Sequence, residues 1–90
     1  MNEIILNFNG VENQPQLHAL LKRSLSLPDY YGENLNALWD LLGGWVETPV
    51  RIRLQGVDDL RKHLGDYADQ LVSLFRQAST EITGIEVIVN

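Results

Sequence analysis

Three short apolar runs, set far apart and separated by segments of helical periodicity, constrain this fold more than any other feature. Ile4-Ile5-Leu6-Asn7-Phe8 comes first and is closed by the turn pair Asn9-Gly10. Val50-Arg51-Ile52-Arg53-Leu54 alternates strictly, as a strand with one polar face does. Ile85-Glu86-Val87-Ile88-Val89 is the third. Between the first two, Leu17, Leu20, Leu21 and Leu25 repeat at helical spacing behind Asn13 and Gln16, a capping box. Pro28 stops that helix, because the residue before a proline is pushed out of the α region. A second helix starts at Asn34, a good N-cap, and presents Leu35, Leu38 and Leu42 on one side. Gly43-Gly44 ends it, where a left-handed cap is expected. Between the last two runs, Asp58 to Leu64 is a short helix with Asp58 and Lys62 at i,i+4, stopped by Gly65. A longer helix follows behind an Asp66 cap, with Tyr67 or Ala68, Leu71, Val72, Phe75 and Ala78 as its apolar stripe.

The order is therefore βααβααβ. Strands separated by helices imply a parallel sheet with right-handed crossovers, so the expected class is α/β with a three-stranded parallel sheet packed by helices. The continuous apolar first strand is expected at the centre and the alternating second strand at an edge. No linker, repeat or low-complexity stretch interrupts the 90 residues, and one domain spanning 1–90 is expected.

Seven basic against twelve acidic residues give a net charge of −5. Nucleic acid or an anionic membrane would need a basic face, so neither is expected as a direct partner. The chain has no cysteine, which excludes a disulfide, a Cys-ligated zinc and a thiol nucleophile. Met1-Asn2-Glu3-Ile4 lacks the basic start and long apolar stretch of a secretory signal, and no run approaches the length of a membrane span. A cytoplasmic location is the expectation.

Charge and aromatic residues are concentrated in one place. Tyr30, Tyr31, Trp39 and Trp45, four of the seven aromatic residues, fall within sixteen positions. Between Ser24 and Val50 stand the acids Asp29, Glu33, Asp40 and Glu47, with no Lys or Arg. Aromatic anchors beside uncompensated carboxylates suit the docking of a cationic partner. A core helix that merely carries surface acids would give the same composition.

Chemistry is not indicated elsewhere. His18 and His63 lie on different helices among polar neighbours, and a solvated helix-surface position is expected for both. No nucleophile elbow, zinc helix, phosphate loop or calcium loop is present. Asp58-Asp59 and Asp66/Asp69 read as helix-start acids favoured by the macrodipole, not as metal ligands. No catalytic residue, metal or cofactor is expected.

Asp40 stands apart from these acids. It falls in the last turn of the second helix, where the macrodipole disfavours a carboxylate by about 0.3–1 kcal/mol. Leu35, Leu38 and Leu42 point inward, which leaves Asn36 and Asp40 stacked on the opposite face with Ala37 and Trp39 beside them. Several local rules broken at one spot mark function.

These residues carry a family resemblance. Leu27-Pro28-Asp29-Tyr30-Tyr31-Gly32-Glu33-Asn34-Leu35, then Ala37-Leu38-Trp39-Asp40, then Gly44-Trp45-Val46-Glu47, closely resemble the barstar family of intracellular ribonuclease inhibitors. The likeness extends to the Leu17-His18 helix, the Phe75-Arg76 pair and the third strand. It implies a three-stranded parallel sheet packed by helices and a protein that plugs a ribonuclease active site with its second helix and the preceding turn. Carried over by position, Tyr30, Asn34, Asn36, Ala37, Trp39, Asp40, Gly44 and Trp45 fall on the inhibitory surface, with Asp40 as its central acid. Asn36 and Gln77 replace family acids, while Glu81 retains one nearby.

The implied partner is a basic-cleft ribonuclease, either extracellular or a delivered toxin, bound by a protein that is monomeric when free. The other open reading is a regulatory binding module of the same fold whose partner is not a ribonuclease. The two lost acids favour it.

Overall fold

Alternation of Val50, Ile52 and Leu54 with Arg51, Arg53 and Gln55 records which face of the sheet is covered. The computed structural model describes residues 2–90. Its elements are β1 (Asn2–Asn7), α1 (Gln14–Ser24), α2 (Leu35–Gly44), β2 (Val50–Gln55), α3 (Val57–Leu64), α4 (Asp66–Glu81) and β3 (Ile85–Val89). The three strands form one parallel sheet in the order β1-β2-β3, with Ile4 opposite Ile52 and Ile52 opposite Val87. Element order and class are those read from the sequence.

The strand positions are not. Contrary to expectation, alternating β2 is central and apolar β1 is an edge strand. A parallel sheet covered by helices on both faces needs central strands that are apolar on both faces. Here only one face is covered, so strict alternation belongs in the middle. The shortest dimension, 19 Å, is about the depth of one sheet and one helical layer. Leu6, Phe8, Val50, Ile52 and Leu54 pack inward with Leu17 and Leu21 of α1, Leu38 and Leu42 of α2, Leu60 of α3, and Leu71 and Phe75 of α4. Each such side chain contributes about 1.5–3 kcal/mol by leaving water.

The open face is held by charge. Arg51 Nε lies 3.0 Å from Glu86 Oε1, and its Nη1 lies 3.6 Å from Glu3 Oε2. Arg53 Nε donates to Glu3 Oε1 at 3.0 Å. Register sets Glu3, Arg51 and Glu86 in one row across all three strands. The exposed Ile5 shares this face.

Helix ends follow local chemistry with some differences from expectation. Asn13 Oδ1 accepts from the Gln16 N–H at 2.9 Å, and Gln16 Oε1 accepts from Glu12 N–H rather than from the cap residue. Asp66 is the first residue of α4 and makes no cap; Gly65 precedes it with φ of 56°, a left-handed value that suits glycine. Asp58 pairs with Arg61, not Lys62, because Arg61 bridges Asp58 and Asp69 and so ties α3 to α4. Gly43 and Gly44 lie inside α2, and the chain leaves through Trp45 at φ −115°, ψ −44° without a left-handed cap. No helix is long and apolar enough to cross a membrane among the described residues.

Candidate partner-binding site

The segment 25–34, which joins α1 to α2, is built from turns that need outside support. Ser26 and Glu33 both have φ of 53°, a left-handed conformation that costs a residue with a Cβ about 1–2 kcal/mol. The C-terminal end of α2 reaches back to it. Trp45 Nε1 donates to the Ser26 carbonyl at 2.9 Å, and the Trp45 ring meets Tyr30 edge-to-face at 6.2 Å between centroids. These two rings are 47% and 70% exposed, far more than large aromatics usually are. Both keep an apolar surface in water, as interface anchors do.

Tyr31 points the opposite way and is buried. Its hydroxyl lies 2.6 Å from His18 Nδ1, and the Tyr67 hydroxyl lies 2.8 Å from His18 Nε2. His18 is therefore a core residue at 2% exposure, which corrects the surface position expected from its neighbours in sequence. His63 does lie on the surface, with Nδ1 3.0 Å from the Asp59 carbonyl. Burial pulls the His18 pKa below its ordinary value, partly offset by the negative charge of Glu33. Burial also pushes the Tyr31 hydroxyl well above the usual phenol range, helped by nearby Tyr67 and Glu33. The signal for this link was available: His18 sits three residues before Leu21, one position after Leu17, inside the buried stripe of α1.

α2 carries two faces. Leu38 and Leu42 are buried; Leu35, Ala37 and Trp39 are half-buried and pack against the core; Asn36 and Asp40 are exposed. Since α2 continues to Gly44, Asp40 lies one turn earlier than the last turn, where the macrodipole effect has largely faded. Asn34 caps the helix through Oδ1, which accepts from Ala37 N–H at 2.8 Å.

Among the described residues Glu33, Asp40 and Glu47 have no ion-pair partner, whereas Asp29 lies 3.5 Å from Lys22 at an exposed position. Three of the four acids in this segment are thus uncompensated, not all four. Gly44 is exposed at the end of α2. Gln77 of α4 lines one groove of about 690 Å³ with Asn36, Trp39, Leu35 and Leu74. Glu81 lies outside that groove, at the end of α4, where the next residue, Ile82, approaches Gly43. Of the residues expected at the site, Asn36, Trp39 and Gln77 line one groove, Tyr30 and Trp45 meet each other, and Asn34, Ala37, Asp40 and Gly44 are spread along α2 and its cap. No cluster of His, Asp and Glu suited to a metal ion occurs among the described residues.

Comparison with known proteins fits this arrangement. The family model described as Barstar (barnase inhibitor) matches residues 1–89. The chain belongs to the barstar family. It is also 42% identical over 82 residues, 91% of this chain and 90% of the relative, to the Bacillus subtilis (strain 168) protein named "Putative ribonuclease inhibitor YrdF". The barstar match reaches through β3, so the helices that carry Asp40, Gln77 and Glu81 all lie within it.

Proposed function

We propose that this protein inhibits a microbial ribonuclease by occupying its basic active-site cleft with α2 and the turn before it. The observation that carries the reading is that Glu33, Asp40 and Glu47, which have no ion-pair partner among the described residues, lie on and beside α2, whose flanking segments expose Tyr30 and Trp45. A ribonuclease cleft presents cations arranged for phosphate. A carboxylate on a rigid helix offers two charge-assisted acceptors to the same cations. In this reading Asp40 takes the place of substrate phosphate, Trp39 and Trp45 flank it, and Tyr30 anchors the rim. Asn36, Ala37, Gly44, Gln77 and Glu81 complete the contact surface, and Asn34 shapes it from the start of α2. The partner is an extracellular or toxin ribonuclease, the inhibitor acts in the cytoplasm as a monomer until bound, and it performs no chemistry itself.

A second reading has its own support. Asn36 and Gln77 give an uncharged end to the surface, which suits a regulatory module whose partner is not a nuclease. One assay separates the two. Barnase and ribonucleases from culture supernatant are titrated with the protein, and residual RNA cleavage is followed at low and high salt. Stoichiometric loss of cleavage, weaker at high salt, is expected. No inhibition of any ribonuclease, with a stable complex formed with some other protein, decides for the module.

A further inference from the structure

Asn34 does more than cap a helix. Its side-chain amide is divided between two elements: Oδ1 accepts from Ala37 N–H at 2.8 Å in the first turn of α2, and Nδ2 donates to the Gly32 carbonyl at 3.1 Å in the preceding turn. Between these contacts lies Glu33, held at φ 53° although it carries a Cβ. The space is full, since a Cβ on Gly32 would stand 3.3 Å from Asn34 Nδ2. On the far side of the turn, Tyr31 is fixed through His18 to Tyr67, and Ser26 is fixed through Trp45. A strained segment persists only where its surroundings over-determine it. Asn34 ties the turn to the first turn of the helix bearing Asp40, while Trp45 ties it to the other end.

We propose that Asn34 is a positioning residue of the binding surface: its amide is a splint that fixes the Tyr30–Glu33 turn to α2, so that aromatic rim and central acid are presented in one geometry before a partner arrives. The consequence for inhibition rests on the ribonuclease reading above; the splint itself does not. A partner binds only the fraction of molecules that already hold the competent geometry. Loss of the splint therefore lowers apparent affinity through slower association. A residue that acted by contact would instead lose affinity through faster dissociation.

Asn34→Ser separates the two roles. Serine is as good an N-cap as asparagine, but its short hydroxyl cannot also reach the Gly32 carbonyl. Amide hydrogen exchange of the free protein is read at Tyr31, whose N–H donates to the Pro28 carbonyl at 3.0 Å, and at Leu38, whose N–H donates to the Asn34 carbonyl at 3.0 Å. Tyr31 should exchange at least about tenfold faster in the variant while Leu38 changes by less than about threefold. Association with barnase should slow by several-fold with dissociation nearly unchanged. Unchanged protection at Tyr31 overturns the proposal, and faster dissociation with unchanged exchange assigns Asn34 to contact instead. Exchange is measured without a partner, so a wild-type protein that ignores barnase counts against the ribonuclease reading alone. Asn34→Ala, which loses both bonds, should expose Tyr31 and Leu38 together; if Asn34→Ser does the same, the residue is only a cap.

Discussion

On the open face of the sheet Glu3, Arg51, Arg53 and Glu86 all have partners, whereas around α2 the carboxylates of Glu33, Asp40 and Glu47 have none among the described residues. Both regions are exposed and both are charged, yet they do different things with charge. The sheet face is closed electrostatically: cross-strand pairs satisfy one another and leave little field for a partner. The α2 surface is left open, with aromatic surface beside it. Exposure alone therefore says little about function. Unpaired charge beside uncovered aromatic area says more.

Asp40 should matter more to binding than any residue of the sheet face. Asp40→Ala should cut affinity for the inhibited ribonuclease by at least roughly thirty-fold, because partner cations lose their counter-charge. The corresponding cost of about 2–5 kcal/mol is a general range drawn partly from this same family, not one derived from the present geometry. Stability of the free protein should be unchanged or slightly higher, since alanine is the better helix former. Titration calorimetry and thermal unfolding of one variant check both halves; a variant that inhibits at full strength removes the phosphate-mimic role.

The inner face of the same helix should show the reverse. Leu38 is fully buried, so Leu38→Ala should destabilise the fold by about 2–5 kcal/mol, while Asn36→Ala on the outer face stays within about 0.5 kcal/mol. Denaturant unfolding that ranked these two the other way would mean that the faces of α2 are misassigned.

His18 tests how firmly the binding segment is tied to the core. Its folded pKa lies below the ordinary 6.5, so the unfolded chain binds the proton more readily. Stability from this group is complete above about pH 6.5, is lost as pH falls toward the depressed folded value, and levels off below it. Tyr31, Tyr67 and Glu33 surround the ring, and neither tyrosine is ionised in this range. Unfolding midpoints measured from pH 8 to 5 should fall more steeply for the wild type than for His18→Gln. Equal slopes would show that the ring titrates as it would in water.

The smallest effect belongs to the sheet face. Glu86→Gln breaks one exposed pair, for which about 0–1 kcal/mol is expected, and leaves ribonuclease affinity unchanged. A loss of affinity in that variant would place the sheet face in the interface and erase the contrast between the two surfaces.

The element order, the parallel sheet, the helix starts at Asn13 and Asn34 and the inward set Leu38 and Leu42 were legible in the residues alone, because these depend on period, capping chemistry and turn residues within a few positions. The residue pattern also placed the acids and aromatic residues of the candidate surface on and around α2. Strand order was not legible there, since alternation reports that one face is covered but not which neighbours a strand has. The same holds for His18 between Tyr31 and Tyr67, where two partners 13 and 49 residues away turn a polar side chain into a core residue. Asp29 gained a partner in Lys22 and Arg61 in Asp69 because the path of the chain between neighbouring elements, not helical spacing, sets both pairs. Periodicity is a local property of the chain. Burial and pairing of polar groups depend on which distant segments the fold brings within hydrogen-bond reach.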